Sequence, residues 1–171
     1  TTDRLTLYLL GQGSGNNFTL NESECLTTNQ LATWLQAYQT TNPIPITVIL
    51  DFSGAGAFIP SLAFEEEDFE SSASRIVIAS SHAGREALLA NGGTVSYSQY
   101  FLSGIISGET LGCAHTDARR AIRRVSGGVR QRALIDDNHN GIASEKNIDG
   151  ILADATSLGS AFITGADSPE I

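Results

Sequence analysis

The sequence predicts an α/β domain with three layers, in which helices cover both faces of a mainly parallel β-sheet. The first observation is Ile46–Asp51, an apolar run that ends at an acid and is followed by small residues. Bounded by Pro45 and Gly54, it is typical of a strand buried on both faces, and such strands belong to parallel sheets covered by helices. The second observation is the order strand, helix, strand along residues 5–51, which is typical of a βαβ unit with a right-handed crossover.

The first strand of this unit is predicted at Leu5–Leu10, where apolar residues run up to a glycine-rich segment at 11–17. Three glycines in that segment allow positive φ and close approach of the backbone. Residues 18–20 are predicted to form a short hairpin arm. Both predicted strands therefore end in small or polar residues, as expected where open α/β sheets place their sites.

A helix is predicted between the two strands. Thr27 and Gln30 have the spacing of a capping box, and the helix must end before Pro43. Its apolar residues recur at i, i+3, i+4 and i+7, so we expect one face of the helix to pack on the sheet. The residues of that face are Leu31, Trp34, Leu35 and Tyr38.

A third strand, at 75–81, is expected to lie in one sheet with the first two, all of them parallel. An acidic run at 64–70 is interpreted as a solvated surface loop, because like charges packed together repel. The remaining predicted elements are a short helix at 57–62, a helix that follows His82 and runs through Leu89, helices at about 96–107 and 109–126, and a last strand at 160–163.

Length and charge limit the classes of function. The 171 residues suffice for a single domain over 1–171, and the net charge of −9 gives no general attraction to nucleic acid or to an anionic membrane. No apolar run approaches the roughly 20 residues that a membrane-spanning helix needs. With only Cys25 and Cys113 there is no disulfide framework, so the compartment stays open. Four arginines of the second long helix are interpreted as a solvated face rather than a nucleic-acid surface: Arg119, Arg120, Arg123 and Arg124.

Residues 136–147 contain the start of a calcium-loop pattern. Counted from Asp136, the oxygen ligands would come from Asp136, Asn138, Asn140, Ile142 (through its carbonyl) and Ser144. The twelfth position is Asn147, which cannot supply the bidentate carboxylate of such loops. Two interpretations stay open: a weak Ca²⁺ site, and a turn rich in Asx residues that needs no ion.

The order of these motifs resembles that of the caspase-like cysteine peptidases, and most closely the legumain-type branch and its bacterial relatives. A strand ending in Gly11-Gln12-Gly13, a capped helix and a strand ending in Asp51-Phe52-Ser53-Gly54 carry the resemblance. The strand at 76–81 is similar to the one that borders the specificity pocket in that family. The resemblance covers most of the chain and implies a caspase-like fold. It also implies that the family's first strand and helix would precede Thr1 in a longer chain.

The resemblance assigns roles to individual positions. Gln12 stands at the position of the catalytic histidine and Ser53 at that of the nucleophilic cysteine, with Gly13 and Gly54 beside them. The substrate pocket would be lined by Asp51, Ser80, Ser81 and His82. Glutamine offers no general base near neutral pH, and a serine hydroxyl without a base is a poor nucleophile.

Two functions are therefore weighed. The first is a catalytically inactive caspase-like module that binds a peptide or protein segment, or acts as a scaffold in a larger protein. The second is an active hydrolase in which Ser53 works with His82, or with a base supplied from elsewhere. No cofactor other than Ca²⁺ is expected.

Overall fold

The computed structural model describes residues 4–63, 73–125 and 130–158. The strands are β1 (Leu5–Leu10), β2 (Gly13–Ser14), β3 (Asn17–Thr19), β4 (Cys25–Thr27), β5 (Ile46–Asp51), β6 (Arg75–Ala79) and β7 (Leu134–Asp136). The α-helices are α1 (Thr28–Thr41), α2 (Tyr97–Ile106), α3 (Leu111–Arg124) and α4 (Ile151–Asp154), and 3₁₀ helices span Ala55–Leu62 and Asn91–Gly93. The acidic run at 64–70 and the predicted strand at 160–163 lie outside the described residues.

The main sheet has the strand order β1-β5-β6-β7. β1, β5 and β6 are parallel neighbours, as predicted, and Leu10 pairs with Asp51 at the carboxyl ends of the first two strands. β7 joins the other edge antiparallel to β6, with Ile135 opposite Ile78. This three-residue strand is not foreseen in the sequence, because its apolar run is too short to be distinguished from a loop.

A second, smaller sheet is formed by β2, β3 and β4, which pair antiparallel in that order. It contains the predicted hairpin arm and follows β1 directly. Phe18 is the buried residue of its central strand and stacks at 4.9 Å, in a tilted arrangement, on Phe52 beyond the end of β5. The small sheet is therefore held against the carboxyl edge of the main sheet.

Alternate residues of the central strands enter two separate cores. Val48 and Leu50 pack with α1 and the longer 3₁₀ helix, whereas Ile49 packs with α2 and α3 on the opposite face. β6 alternates in the same way, with Val77 on the first face and Ile78 on the second. The strands are thus buried on both faces, and the molecule has the helix–sheet–helix layers expected of a mainly parallel sheet.

The helix α1 begins where the capping box predicts but is rotated relative to the predicted face. The Thr27 hydroxyl accepts the Gln30 N–H, and the Gln30 side chain accepts the Thr27 N–H. Leu31 and Leu35 are buried as expected, but Trp34 is 57% exposed and Tyr38 36% exposed. The expectation that Trp34 and Tyr38 pack on the sheet is therefore wrong.

The rotation of α1 has a polar cause. Gln39 is fully buried, and its side-chain oxygen accepts hydrogen bonds from the guanidinium of Arg75 at the start of β6. Its amide nitrogen donates to the carbonyls of Ile44 and Ser74 at 3.1 and 3.3 Å. A buried guanidinium needs hydrogen-bond acceptors, so Gln39 takes the inward position that Tyr38 is predicted to occupy. Burial lowers the pKa of Arg75 to about 10.

The helices of the second face begin near their predicted positions. Ser96 caps α2 by accepting the Gln99 N–H at 3.2 Å, and Thr110 caps α3 by accepting the Cys113 N–H at 3.2 Å. Gly108, just past α2, has a positive φ of 86°, as is usual for a glycine that follows a helix end. In the described ranges, no helix has the length and apolar character required to cross a membrane.

The helix predicted to follow His82 is absent from residues 85–89, which have no regular secondary structure. Gly84 has a φ of 68°, which turns the chain. Beyond it, the backbone N–H groups of Ala87 and Leu88 bond to the side chains of Ser53 and Gln131 instead of to carbonyls one helical turn back. Tertiary hydrogen bonds therefore replace the helical ones in this segment.

Candidate functional site

The loops that follow β1 and β5 lie against each other at one edge of the sheet. The Gly11 N–H donates to the Asp51 carbonyl at 3.3 Å, which continues the pairing of the two strands. A Cβ atom at Gly13 would clash with the Phe52 ring, and one at Gly54 would lie 3.4 Å from the Gly15 nitrogen. Gln12 and Ser53 each come two residues after the paired strand ends, so the structure brings their loops together.

The side chains of these two residues have different surroundings. Gln12 is exposed, and its backbone carbonyl accepts the Thr19 N–H at 2.9 Å. Ser53 is half-buried, and its hydroxyl oxygen accepts the Ala87 N–H at 3.0 Å. In the part of the chain that the structure describes, no hydrogen bond joins the side chains of Gln12 and Ser53.

Ser81, just past β6, holds the Ser53 loop from beneath. Its hydroxyl donates to the Phe52 carbonyl at 2.8 Å and accepts the N–H groups of Gly54 and Ala55 at 3.0 and 3.3 Å. The Gly54 N–H also donates to the Arg85 carbonyl at 2.8 Å. Gly54 has a φ of 81°, a left-handed conformation that favours glycine. Ser81 therefore supports the loop and does not line an open pocket.

Residues 85–88 lie across this loop, and hydrogen bonds fasten them both to the loop and to Gln131. The Arg85 carbonyl and the Ala87 N–H bond to the loop itself, and the Leu88 N–H donates to the side-chain oxygen of Gln131 at 2.8 Å. The amide nitrogen of Gln131 in turn donates to the Ser80 carbonyl at 2.9 Å. Neither the segment nor Gln131 is singled out by the sequence, because these contacts depend on loop conformations that no local pattern specifies.

Asp51 is buried at the end of β5 and is the centre of a hydrogen-bond chain. One of its carboxylate oxygens, Oδ2, accepts the Ser98 backbone N–H at 2.9 Å and also the Ser98 hydroxyl, while Oδ1 is buried without a partner. The Tyr8 hydroxyl donates to the Ser98 hydroxyl oxygen at 2.8 Å. Burial raises the pKa of Tyr8 to about 12, with a further contribution from the charge of Asp51.

The four residues assigned to the substrate pocket do not line one open surface. Asp51, Ser80 and Ser81 are buried, and His82 is exposed. The His82 Nδ1 atom lies 2.9 Å from the Ala83 carbonyl, and no hydrogen bond between His82 and Ser53 exists among the described residues.

An open groove adjoins the hydrogen-bonded pair of Asp51 and Ser98. It has a volume of about 460 Å³ and runs between the end of β1 and the outer face of α2. Its apolar lining is exposed: Leu10 by 53%, Leu102 by 38% and Ile106 by 66%. Ser98 contributes to its wall, so the groove is connected to Asp51 through that hydroxyl.

A second buried polar pair lies between α2 and α3. A hydrogen bond of 2.8 Å joins the Tyr97 hydroxyl to His115 Nδ1, and both residues are buried. Burial, together with a smaller contribution from the nearby Arg119 charge, lowers the pKa of His115 to about 3. Burial also raises the pKa of Tyr97 well above its usual value. His115 is thus neutral at physiological pH.

The loop that begins at Asp136 is held by its own side chains. Asp136 Oδ2 accepts the Gly141 N–H at 2.9 Å, Asn138 Oδ1 accepts the Asn140 N–H at 3.2 Å, and Asn140 Oδ1 accepts the Ile142 N–H at 2.7 Å. Burial raises the pKa of Asp136 to about 6, against the opposing effect of the Gly141 hydrogen bond.

Ser144, another position assigned to this loop, makes a contact that differs from the predicted one. Ser144 Oγ accepts the Ile135 N–H at 3.3 Å, so this hydroxyl is used to fasten the loop to β7. The side chain of Ile142 is 59% exposed. Glu145, which the sequence pattern does not select, has Oε2 at 3.3 Å from Asn138 Nδ2 and 2.6 Å from Asn140 Nδ2.

Acidic residues behind the loop position its second half. Asp149 Oδ2 accepts the Glu145 N–H at 2.7 Å. Asp137 accepts the N–H groups of Gly150 and Ala153 at 2.9 and 2.8 Å, which anchors α4. Burial raises the pKa of Asp149. Within the ranges that the structure describes, no group of three or more His, Cys, Asp or Glu side chains could hold a metal ion.

The arginine face of α3 is exposed, as predicted. Arg120 bonds to Asp117 one turn earlier at 3.2 Å, and the two side chains are 69% and 62% exposed. A shallow depression of about 580 Å³ lies along this face, lined by Thr116, Arg119, Arg120, Arg123 and Arg124.

No protein-family model matches the chain, and no curated protein sequence matches it at a significant level.

Proposed function

We propose that this chain is a caspase-like module of the legumain type that lacks hydrolytic activity and binds a peptide or protein segment. The parallel sheet places the Gln12 and Ser53 loops in contact, and this arrangement supports the proposal. Gln12 cannot act as a general base near neutral pH. Ser53 therefore has no proton acceptor at the position where the resembled family carries its histidine.

The observation that carries the proposal is that the chain's own backbone is hydrogen-bonded to the Ser53 loop. The Ser53 hydroxyl oxygen accepts the Ala87 N–H, and the Gly54 N–H donates to the Arg85 carbonyl. Acyl transfer needs a nucleophile poised by a base and backbone N–H groups that are available to a developing oxyanion. At this loop the N–H of the residue after Ser53 already has a carbonyl partner, and the hydroxyl has an N–H partner.

The groove between β1 and α2 is proposed as the seat of the bound segment. Leu10, Leu102 and Ile106 offer exposed apolar contact, and the buried Ser98, whose hydroxyl is bonded to Asp51 and Tyr8, forms part of the inner wall. A concave apolar surface with few polar groups is the usual form of a recognition site. An extended segment with one or two large apolar side chains has the complementary chemistry.

The absence of hydrolysis is tested with a fluorophosphonate probe, which labels activated serines. We expect labelling of the protein to equal that of Ser53→Ala, since the Ser53 hydroxyl has no base to activate it. Labelling that depends on Ser53 would overturn the proposal and favour an active hydrolase. If His82→Ala then abolished that labelling, His82 would be the base.

Binding is tested by selecting peptides from a displayed random library and measuring their affinities by calorimetry. We expect Ile106→Asp to weaken the selected peptides by at least about tenfold, since a charge replaces apolar contact worth about 1.4 kcal/mol or more. The matched control is Ile151→Asp on α4, where the isoleucine is 68% exposed. Equal affinities for both variants would contradict the groove assignment.

A further inference from the structure

Asp136 has a buried carboxylate oxygen that the protein does not satisfy. The residue is 0% exposed, and its Oδ1 atom has no hydrogen-bond partner. The backbone amide of His139 favours the charged form of the carboxylate. A buried carboxylate oxygen without a donor is costly, so this atom indicates a missing partner.

The carboxylate of Asp136 faces the turn formed by residues 138–141. Its other oxygen, Oδ2, accepts the N–H of Gly141, whose φ of 77° closes that turn. The amide oxygens of Asn138 and Asn140 each accept one backbone N–H at the same turn. An amide oxygen has two lone pairs, so each keeps one for a further partner.

Glu145 brings a second carboxylate to the same two amides. Its Oε2 atom contacts the Nδ2 atoms of both Asn138 and Asn140, and Asp149 fixes its backbone N–H. Counted from Asp136, Glu145 is the tenth residue, so it arrives two positions earlier than the carboxylate of a standard calcium loop. The sequence pattern points to Asn147 at the twelfth position and therefore misses it.

We propose that residues 136–145 form a Ca²⁺ site, with Asp136 Oδ1 and the Glu145 carboxylate as its charged ligands. Asn138, Asn140 and the Ile142 carbonyl would complete a set of oxygen ligands. This inference is independent of the proposed peptide binding, because it concerns a different loop.

The ligand chemistry selects calcium over other common metals. The set contains only oxygen atoms, including amide and backbone carbonyl oxygens, which hard cations such as Ca²⁺ accept and which Zn²⁺ sites seldom use. Mg²⁺ demands near-ideal octahedral geometry and is reluctant to lose its water shell. With two carboxylates instead of the usual larger number, the dissociation constant is expected at about 10⁻⁴–10⁻³ M.

The test is calorimetric titration of the chelator-treated protein with CaCl₂, together with its melting temperature in EDTA and in added Ca²⁺. We expect one bound ion per chain and a melting temperature that rises with Ca²⁺, because a ligand that binds only the folded state stabilises it. Glu145→Gln is expected to raise the dissociation constant at least about tenfold, since losing even an outer-shell partner costs 10–100-fold. MgCl₂ at the same concentrations should bind more weakly.

Asp117→Asn is the matched control, because it removes one negative charge from an exposed position on α3. It should leave Ca²⁺ binding unchanged. Asp136→Asn should abolish binding. If that variant does not fold, Glu145→Gln still decides the matter, because Glu145 is only half-buried. No saturable heat up to about 10 mM Ca²⁺, tenfold above the weakest expected constant, would overturn the proposal. So would equal weakening by Glu145→Gln and Asp117→Asn.

Discussion

The Tyr97–His115 pair makes folding sensitive to acid through a single histidine. An ordinary histidine has a pKa of 6.5, and burial lowers that of His115 to about 3. Between these values the unfolded chain binds a proton at this residue that the folded protein excludes. The contribution of neutral His115 to folding is therefore fully present above about pH 6.5, and it is lost as the pH falls towards 3.

The size of the effect follows from the difference of about 3.5 pH units between the two pKa values. At 1.36 kcal/mol per unit this difference corresponds to about 5 kcal/mol in total. Within the window the free energy of unfolding should fall by up to about 1.4 kcal/mol for each unit of pH lost. Between pH 6.5 and 4 the expected loss is about 3 kcal/mol.

The assay is urea unfolding at several pH values for the protein and for His115→Asn. Asparagine keeps a hydrogen-bonding group near the position of Nδ1 and does not titrate, so subtracting the two curves cancels the other ionisable groups. We expect the stability difference to shrink steadily between pH 6.5 and 4. A difference that stays constant with pH would refute the reasoning, because His115 would then be able to take up a proton in the folded state.

Two further predictions concern α1 and are measured by urea unfolding at neutral pH. Trp34→Ala should cost less than about 1 kcal/mol of unfolding free energy, because the indole is 57% exposed. Leu35→Ala should cost about 2–5 kcal/mol. The reverse order would mean that Trp34 packs on the sheet, as the sequence pattern predicts. Gln39→Leu should cost about 3 kcal/mol, because Arg75 then loses its side-chain acceptor in the core. A loss under about 1 kcal/mol would mean that water replaces the amide.

The three parallel strands of the main sheet could be predicted because their signals are local. Ile46–Leu50 is a run of apolar and β-branched residues that ends at Asp51, and such a run between proline and glycine is typical of a strand buried on both faces. The caps of α1, α2 and α3 are equally local, since Thr27, Ser96 and Thr110 each accept an N–H three residues later. The meeting of the Gln12 and Ser53 loops followed from parallel pairing alone.

What could not be predicted depends on partners distant in the sequence. The rotation of α1 is set by Arg75, which lies 36 residues after Gln39, and a hydrophobic pattern contains no information on that contact. Residues 85–89 have helix-forming side chains, but their amides bond to Ser53 and to Gln131, 34 and 43 residues away. Tertiary contacts override propensity in both cases.

Some contacts of the candidate sites also depend on conformations that the sequence does not specify. The carboxylate of Glu145 reaches Asn138 and Asn140 because of positive φ angles at His139 and Ser144, of 53° and 60°. Non-glycine residues rarely adopt this conformation, so no spacing rule could have placed Glu145 at the loop. Ser81 was predicted to line a pocket, but its hydroxyl supports the Ser53 loop, and this role depends on the loop's conformation.

The central claim is that positions 12 and 53 face each other as an inactive catalytic pair. The direct measurement is iodoacetamide labelling across pH of Ser53→Cys alone and of Ser53→Cys combined with Gln12→His. An imidazole beside the thiol favours the thiolate, so the double variant should titrate well below the ordinary cysteine pKa of about 8.5, and the single variant near that value. Identical titrations of the two variants would contradict the claim, because position 12 would then not reach position 53.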